Sequence, residues 1–394
     1  MGSPPLAERL RSIEGSPTLA LAAKAKALAQ AGQPVIDWTA GEPDFPTPDA
    51  VKQAAVQAIQ QNRTKYTAVP GIPELRAAVA AHLSKRLGVP YEAKQTIVSC
   101  GAKHVLYNAL QAVCQAGDDV LIIAPYWVSY VPLVQLAGAT PVLVHTKESE
   151  NYQLNASTLS AAITPKTKAI ILNSPSNPTG AVLTRETLAA ILPILKQHRL
   201  WIISDEIYDQ LVYPPHRVWS PVQVDPSAAE QTIVVNGVSK TYSMTGWRIG
   251  YAAGPAEVID AMGVLQSHAT SNPASISQYA ALAALTSPLP EIPVMVKAFE
   301  RRRDVMVSGL NKLPGLSCYQ PQGAFYAWCN VAKLGAPAAV IADRLLNEAM
   351  IVGIPGEGFG SPQHVRFSFA TSMDTIERGL ERLGQWLSKQ HMVT

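Results

Sequence analysis

Between two apolar stretches the chain runs Val238-Ser239-Lys240-Thr241-Tyr242-Ser243-Met244-Thr245-Gly246-Trp247-Arg248. An amine at the end of a strand can condense with the aldehyde of a cofactor. An arginine eight residues on could fork onto a phosphate. Spacing alone favours a plainer alternative, a surface lysine after a strand and a structural arginine. Asp205 ends another apolar stretch, in Ser204-Asp205-Glu206-Ile207-Tyr208. A carboxylate there stands at the carboxyl edge of a sheet, where α/β proteins bind ligands. Facing a pyridine nitrogen, it would keep that nitrogen protonated, and Tyr208 could reach a phenolic oxygen of the same ring. Taken alone, Asp205 serves equally well as a helix N-cap. Asn173-Ser174-Pro175-Ser176-Asn177-Pro178-Thr179-Gly180 is a polar turn after a third stretch. It is either an ordinary connection or the support for an Asn177 amide that donates to the ring oxygen. Ser99-Cys100-Gly101-Ala102-Lys103-His104 opens a helix. Its N–H groups could cradle a phosphate, although a lone Gly-Ala turn carries little weight by itself.

These residues need a scaffold that brings strand ends together. Apolar runs at Thr96–Ser99, Val120–Ala124, Pro141–His145, Ala169–Asn173, Leu200–Ser204, Thr232–Asn236 and Ile249–Ala253 read as strands, several apolar on both faces. Helical patterns at Ala102–Gln115, Val128–Ala137 and Arg185–His198 alternate with them, which is the signature of an α/β domain. The N-terminal part differs, with an Ala-rich helix at Thr18–Gln30, a short extended Val35–Trp38 and a helix opened by Pro73. After about residue 287 a long helical pattern precedes extended pieces at Ser317–Gln320, Ala324–Trp328, Ile351–Ile354 and Val365–Phe369. A helix at Pro337–Glu348 and a terminal helix complete a smaller α+β unit. The expected division is 1–45, an N-terminal segment packed on the small domain; 46–286, the large domain; and 287–394, the small domain.

Composition narrows the function classes. With 47% hydrophobic and 15% charged residues over 394, the chain can bury a large core. A net charge of +3 is too mild to imply a nucleic-acid or membrane partner. Arg301-Arg302-Arg303, between Glu300 and Asp304, reads as a solvated helix face. Cys100, Cys114, Cys318 and Cys329 form no C-x-x-C pair and read as small buried residues of a reducing compartment. Met1-Gly2-Ser3-Pro4-Pro5 has no basic-then-apolar leader, Leu6 rules out a myristoylation motif, and no run reaches bilayer length. The expectation is a cytoplasmic protein without metal.

Several further motifs accompany these clusters: Ala40-Gly41-Glu42-Pro43-Asp44-Phe45, Lys65-Tyr66-Thr67, Gly71-Ile72-Pro73-Glu74-Leu75-Arg76 and Pro125-Tyr126-Trp127-Val128-Ser129-Tyr130. Gly323-Ala324-Phe325-Tyr326 and Val365-Arg366-Phe367-Ser368 follow towards the end. In this order, and over nearly the whole chain, they resemble the fold-type I pyridoxal-phosphate enzymes. The likeness is to the class I aminotransferases and, within them, the bacterial-type aspartate aminotransferase subgroup. The resemblance implies a large domain with a mainly parallel seven-stranded sheet flanked by helices, plus a smaller α+β domain. It implies pyridoxal 5'-phosphate as cofactor, amino-acid and 2-oxo-acid substrates, and a homodimer whose active sites are shared across the interface.

It also implies roles. Lys240 looks like the lysine that holds the cofactor and then moves the proton between the substrate Cα and the cofactor C4′. Asp205 looks like the partner of the pyridine nitrogen, Tyr208 and Asn177 the partners of the ring oxygen, and Trp127 the indole stacked on the ring. Arg248 and the backbone of Gly101, Ala102 and Lys103 look like phosphate ligands. Arg366 resembles the fork for the substrate α-carboxylate, with Gly41 lining the same end. Tyr66 resembles a residue that reaches the phosphate of the neighbouring subunit. Lys103 matches a position that reads an acidic side chain, and Thr18 a polar residue of the N-terminal segment that closes on the substrate. A cation in the first turn of a helix is unfavourable unless an anion lies near, which fits that role for Lys103. The implied reaction is L-aspartate plus 2-oxoglutarate giving oxaloacetate and L-glutamate. The alternatives are an aromatic or alanine-type aminotransferase and, lower in rank, a catalytically silent ligand-binding regulator. The chain departs from the pattern twice. Gly237 stands where many relatives carry a phosphate-binding serine, with Ser239 beside the lysine instead. Glu14, near Gly15 and Pro17, stands where prephenate-accepting relatives carry a lysine, so the resemblance does not imply prephenate activity.

Overall fold

The computed structural model describes residues 6–10, 13 and 17–391. Seven strands form one sheet: β1 (Thr96–Ser99), β2 (Asp119–Ala124), β3 (Thr140–His145), β4 (Thr167–Asn173), β5 (Trp201–Asp205), β6 (Thr232–Gly237) and β7 (Gly250–Ala253). Their order is β1-β7-β6-β5-β4-β2-β3. Neighbours are parallel except that β7 runs against both β1 and β6. The alternation of side chains explains why these strands are apolar throughout. Ile171, Ile203 and Val235 face the helix α4 (Ala102–Val113), packing with its Val105, Leu106, Ala109 and Leu110. Ile170 and Ile202 face the other way, onto Leu188, Ile191 and Leu195 of the helix Arg185–Gln197. Each such fully buried side chain contributes roughly 1.5–3 kcal/mol, so the sheet is a rigid base for whatever its strand ends carry.

A second, four-stranded sheet is antiparallel, with β8 (Ser317–Cys318), β9 (Tyr326–Asn330), β10 (Ile354–Pro355) and β11 (His364–Ser368) in the order β10-β11-β9-β8. Its core joins Phe325, Val365 and Phe367 to the helices Glu291–Asn311, Ala338–Ala349 and Met373–His391 through Phe299, Ile341 and Ile376. The helix α1 (Pro17–Gln30) packs Ala25 with Leu346 and Val352.

The structure corrects several sequence expectations. Ile351–Ile354 is not one strand. Ile351–Val352 pairs in parallel with Ile36–Asp37, while Ile354–Pro355 joins β11. Gly353 sits at the switch, where a Cβ would lie 2.4 Å from the Phe367 ring, so a side chain has no room there. The helical stretch expected from about 287 follows a separate helix, Ser275–Thr286, and the two meet at an 82° bend around Pro288 and Pro290. The helices α2 (Asp49–Gln60) and Ala256–Ala269 went unmarked in the sequence. Of the arginine cluster only Arg301 is a solvated residue. Arg302 pairs with Asp44 at 2.7 Å, and the Arg303 guanidinium lies 4.6 Å from the Tyr213 ring centroid in a buried position. All four cysteines are free thiols. Among the described residues no single helix is long and apolar enough to cross a membrane, and no cluster of potential metal ligands occurs.

Candidate active site

The carboxyl ends of β1, β4, β5 and β6 lie on one edge of the seven-stranded sheet, because these four strands point the same way. β7 points the opposite way, so the residues before it return to that same edge. Asn173, Asp205 and the segments after Ser99 and Gly237 are therefore brought together, and Arg248 arrives beside them just ahead of Gly250. Gly250 pairs with both Ser99 and Gly237. A Cβ on it would fall 2.2 Å from the Ala102 nitrogen, so glycine lets α4 begin directly against the sheet.

A cavity of about 760 Å³ opens at this edge. Lys240, Asp205, Tyr208 and Asn177 line it, together with Ala102, Lys103 and Trp127. Arg248, Gly41 and Arg366 complete the set that the sequence singled out there. Gly101 lies behind them with φ +86, a left-handed conformation suited to glycine, and a Cβ on it would strike Arg248 at 2.3 Å. The guanidinium of Arg248 thus rests on the first turn of α4, with Nη1 donating to the Thr245 carbonyl at 2.9 Å. Ala102 and Lys103 start that helix, so their N–H groups have no intrahelical acceptor. A cationic fork beside free N–H donors, kept open by two glycines, fits a phosphate.

The remaining groups suit the ring and the substrate. Asp205 is buried, its Oδ2 accepting from the Tyr130 hydroxyl at 2.7 Å and its Oδ1 from the Ile207 N–H at 3.2 Å. Burial pushes its carboxyl up to about 6, against the pull of those two donors. Such a group gains from a buried cationic N–H partner. Lys240 donates to the Gly41 carbonyl at 2.5 Å. Burial pushes its amine down to about 8; Glu42 opposes the shift, and Arg366 and Arg248 add to it. An amine so tuned is partly neutral near physiological pH and can attack a carbonyl carbon. The Tyr208 and Tyr326 hydroxyls share a hydrogen bond of 2.9 Å. Arg366 is 2% exposed, yet its Nε has no partner. Its Nη1 donates to Asn177 Oδ1 at 2.9 Å and its Nη2 to the Thr39 carbonyl at 3.2 Å. The ring centroids of Tyr326 and Phe359 lie 4.3 and 5.1 Å from its guanidinium carbon. This is a held, desolvated fork whose surplus donor suits a carboxylate. The Lys103 ammonium lies 4.9 Å from the Trp127 ring centroid, with its pKa lowered by burial and by Arg248. Trp127 itself meets Tyr130 edge-on.

Tyr66 stands apart, 91% exposed and outside the cavity of its own chain. The side chain of Thr18 lies outside the described residues, as do Glu14 and Gly15. At Gly237 a Cβ would meet the Ile249 carbonyl at 3.0 Å, which leaves little space for a serine, while Ser239 lines the cavity. Sequence reasoning missed Tyr130 as the partner of Asp205, and Glu42, whose carboxylate accepts from Thr245 at 2.5 Å. It also missed Lys26 of α1 at the cavity wall. Tyr130 and Glu42 were within reach, since each stands in a motif that the sequence singled out; Lys26 carries no local signal.

Comparison with known proteins gives a consistent picture. The family described as aminotransferase class I and II matches residues 33–383. An aspartate aminotransferase of Geobacillus stearothermophilus is 45% identical over 387 residues, covering 97% of this chain and 98% of the relative. An aspartate/prephenate aminotransferase of Cereibacter sphaeroides is 46% identical, covering 96% and 97%. Among solved structures, an aspartate aminotransferase from Thermus thermophilus with maleate superposes with a TM-score of 0.93 at 41% identity, covering 97% of this chain and 100% of that one. The aspartate aminotransferase from Rhizobium meliloti gives 0.94 at 42%, covering 98% and 99%.

Proposed function

The chain belongs to the class I and II aminotransferase family, and we propose that it acts there as an aspartate aminotransferase, moving the amino group of L-aspartate to 2-oxoglutarate by ping-pong chemistry on pyridoxal 5'-phosphate. The observation that carries the reading is the meeting of Lys240, Asp205, Asn177, Arg248 and Arg366 around one cavity. Bound, the cofactor supplies an aldehyde that accepts the amino group and a ring that draws electrons from the substrate Cα.

The chain's own residues do the rest. Arg248 and the N–H groups opening α4 hold the phosphate. Asp205, ionised at neutral pH and steadied by Tyr130, keeps the pyridine nitrogen protonated. Asn177 turns its oxygen to Arg366, which leaves its amide N–H groups for the ring oxygen beside Tyr208. Trp127 covers the ring face. Arg366 takes the substrate α-carboxylate next to Gly41, which fixes the Cα–H bond relative to Lys240. The neutral Lys240 amine would then hold and move the proton at the substrate Cα. Lys103 supports the distal carboxylate, and the N-terminal segment with Thr18 closes on the substrate. Tyr66 serves the phosphate of a second copy, so the working unit is a homodimer with shared sites. Residues 46–286 and 287–394 are proposed as the two domains that meet at this cavity. Cytoplasmic residence is part of the proposal, supported by the four free cysteines.

The test is a half-reaction screen. The yellow holoprotein is mixed with single amino acids, and the visible band is followed as the cofactor passes from its aldehyde to its amine form. Aspartate and glutamate should both discharge the band. Discharge by an aromatic amino acid while both acids fail would overturn the assignment of substrate.

A further inference from the structure

Behind the turn that bears Asp205 and Tyr208 lies a buried charge cluster that the reaction above does not use. Arg86, in the last turn of the helix α3 (Pro73–Leu87), pairs its Nη2 with Glu206 and its Nε with Asp209, the latter at 3.2 Å. The arginine side chain is 19% exposed, whereas the two carboxylates are 1% and 2% exposed. Within Asp205-Glu206-Ile207-Tyr208-Asp209 the side chains divide. Asp205 and Tyr208 face the cavity, while Glu206 and Asp209 face Arg86. The turn is compact, with the Asp209 N–H donating to the Glu206 carbonyl and the Glu206 N–H to Val235 of β6, both at 2.9 Å. Ser204 donates to the second Glu206 oxygen at 2.8 Å. Any shift of Glu206 is therefore passed to its neighbour Asp205.

We propose that Arg86 is a positioning residue for amino transfer, neutralising Glu206 and Asp209 on the back of the 205–209 turn so that Asp205 and Tyr208 hold their places on its front. The proposal rests on the assignment of Asp205 and Tyr208 to the cofactor ring. Two carboxylates this close and this dry repel each other. Without a cation, one of them takes up a proton or swings towards water. No other cation is paired with them among the described residues. His82 of α3, two further arginine-facing tyrosines, Tyr91 and Tyr251, and Tyr242 beyond β6 complete the surroundings. His82 is itself pushed towards its neutral form by burial, against the pull of Asp209, with Arg86 and Lys85 adding to the shift. Glu206 lies next to Asp205, so an uncompensated charge there also acts on the cofactor ring through the peptide it shares.

The test compares the full-length holoenzyme with Arg86→Met, Arg86→Lys and the charge-compensated Arg86→Met/Glu206→Gln. Three quantities are read: kcat and KM for aspartate, the pH midpoint of the bound cofactor's visible absorption, and the affinity of the cofactor-free protein for pyridoxal phosphate. Arg86→Met should lower kcat about tenfold or more with KM within about threefold, and move the midpoint upward by about half a unit. The compensated variant should recover most of both, because it removes the surplus negative charge without restoring the arginine. Arg86→Lys, which keeps the charge but not the fork, should fall between, and it serves as the reading should Arg86→Met fail to fold. Parental kcat and midpoint in a folded Arg86→Met, or in Arg86→Lys where Arg86→Met does not fold, overturn the proposal. So does a loss in melting temperature alone, or a compensated variant no better than Arg86→Met. A parent enzyme that does not turn over aspartate would instead defeat the substrate reading, leaving the midpoint and affinity to judge Arg86.

Discussion

Arg366 donates from Nη1 to Asn177 Oδ1 at 2.9 Å, and this bond ties β11 of the small sheet to the loop beyond β4 of the large one. On the proposed function, the substrate fork and the ring-oxygen donor therefore hold each other. Replacing the arginine by lysine removes the planar fork while keeping a charge. Arg366→Lys should lower kcat/KM for aspartate by about 10²-fold or more, mostly through KM, since one ammonium cannot serve Asn177, Thr39 and a carboxylate together. Steady-state kinetics over a range of aspartate concentrations checks this, and a change within about threefold would contradict it.

Reduction with borohydride should fix the cofactor to the chain at a single site. Mass spectrometry of the digested holoenzyme should find the added mass on the peptide holding Lys240, and Lys240→Ala should give neither the adduct nor turnover. An adduct on Lys103 or Lys26, the other two lysines lining the cavity, would reassign the lysine.

The same lysine should cost the empty protein stability. Its amine falls from an ordinary 10.5 to about 8 on burial. Between these two pH values the unfolded chain binds a proton that the folded one does not, so stability rises with pH across that window. Below 8 the full penalty is present. Lys240→Met should therefore melt higher than the parent at pH 7 in the cofactor-free state, by on the order of 2 kcal/mol after screening at the cavity mouth. The gain should shrink as pH passes from 8 to 10.5. A pH series of melting curves decides, and a gain that stays constant across the window would refute the linkage.

Gly250 tests the phosphate cradle without touching a polar group. A methyl there must displace the start of α4, its nearest atom being the Ala102 nitrogen at 2.2 Å. Gly250→Ala should weaken cofactor binding by about tenfold or more and destabilise the fold by about 1–3 kcal/mol. Equilibrium dialysis against pyridoxal phosphate measures the first effect. Unchanged affinity would mean that the helix start does not bear the phosphate.

Tyr66 allows a complementation experiment. It is 91% exposed and has no place in its own cavity, so the proposed function has it act on a second copy. A mixed dimer of Tyr66→Phe and Lys240→Ala subunits contains one site with both residues intact. Mixing two impaired variants should then restore about a quarter of parental activity, following random subunit exchange. No recovery would remove Tyr66 from the site.

Much of this was readable in the chain because the sheet is covered on both faces. Strands such as Ala169–Asn173 had to be apolar throughout, and a polar residue at their end, Asn173 or Asp205, marks where the cover stops. The gathering of Lys240, Asp205, Asn177 and Arg248 follows from strand direction alone once the alternation is seen. What escaped depends on contacts between distant segments. Arg86 gives no hint in its helix that it faces Glu206, 120 positions away. Arg302 and Arg303 lie in an ordinary charged run and reveal their burial only against Asp44 and Tyr213. The break at Gly353 is invisible because Ile351, Val352 and Ile354 are all strand-forming, and the residue they must clear, Phe367, belongs to another strand.

The Arg366 guanidinium also reaches back 327 positions to the Thr39 carbonyl, and Lys240 reaches back 199 to Gly41. Closing spans of that length costs little more at equilibrium than closing shorter ones, but it slows the search that brings their ends together. During synthesis the sheet strands up to Ala253 can pair long before β11 leaves the ribosome. A growing chain that lacks residues 364–368 already carries Lys240, Asp205 and Arg248, but not the Arg366 that the proposed function assigns to the substrate carboxylate. On the proposed function the substrate fork is thus the last part of the site to be made, within the final tenth of the polypeptide.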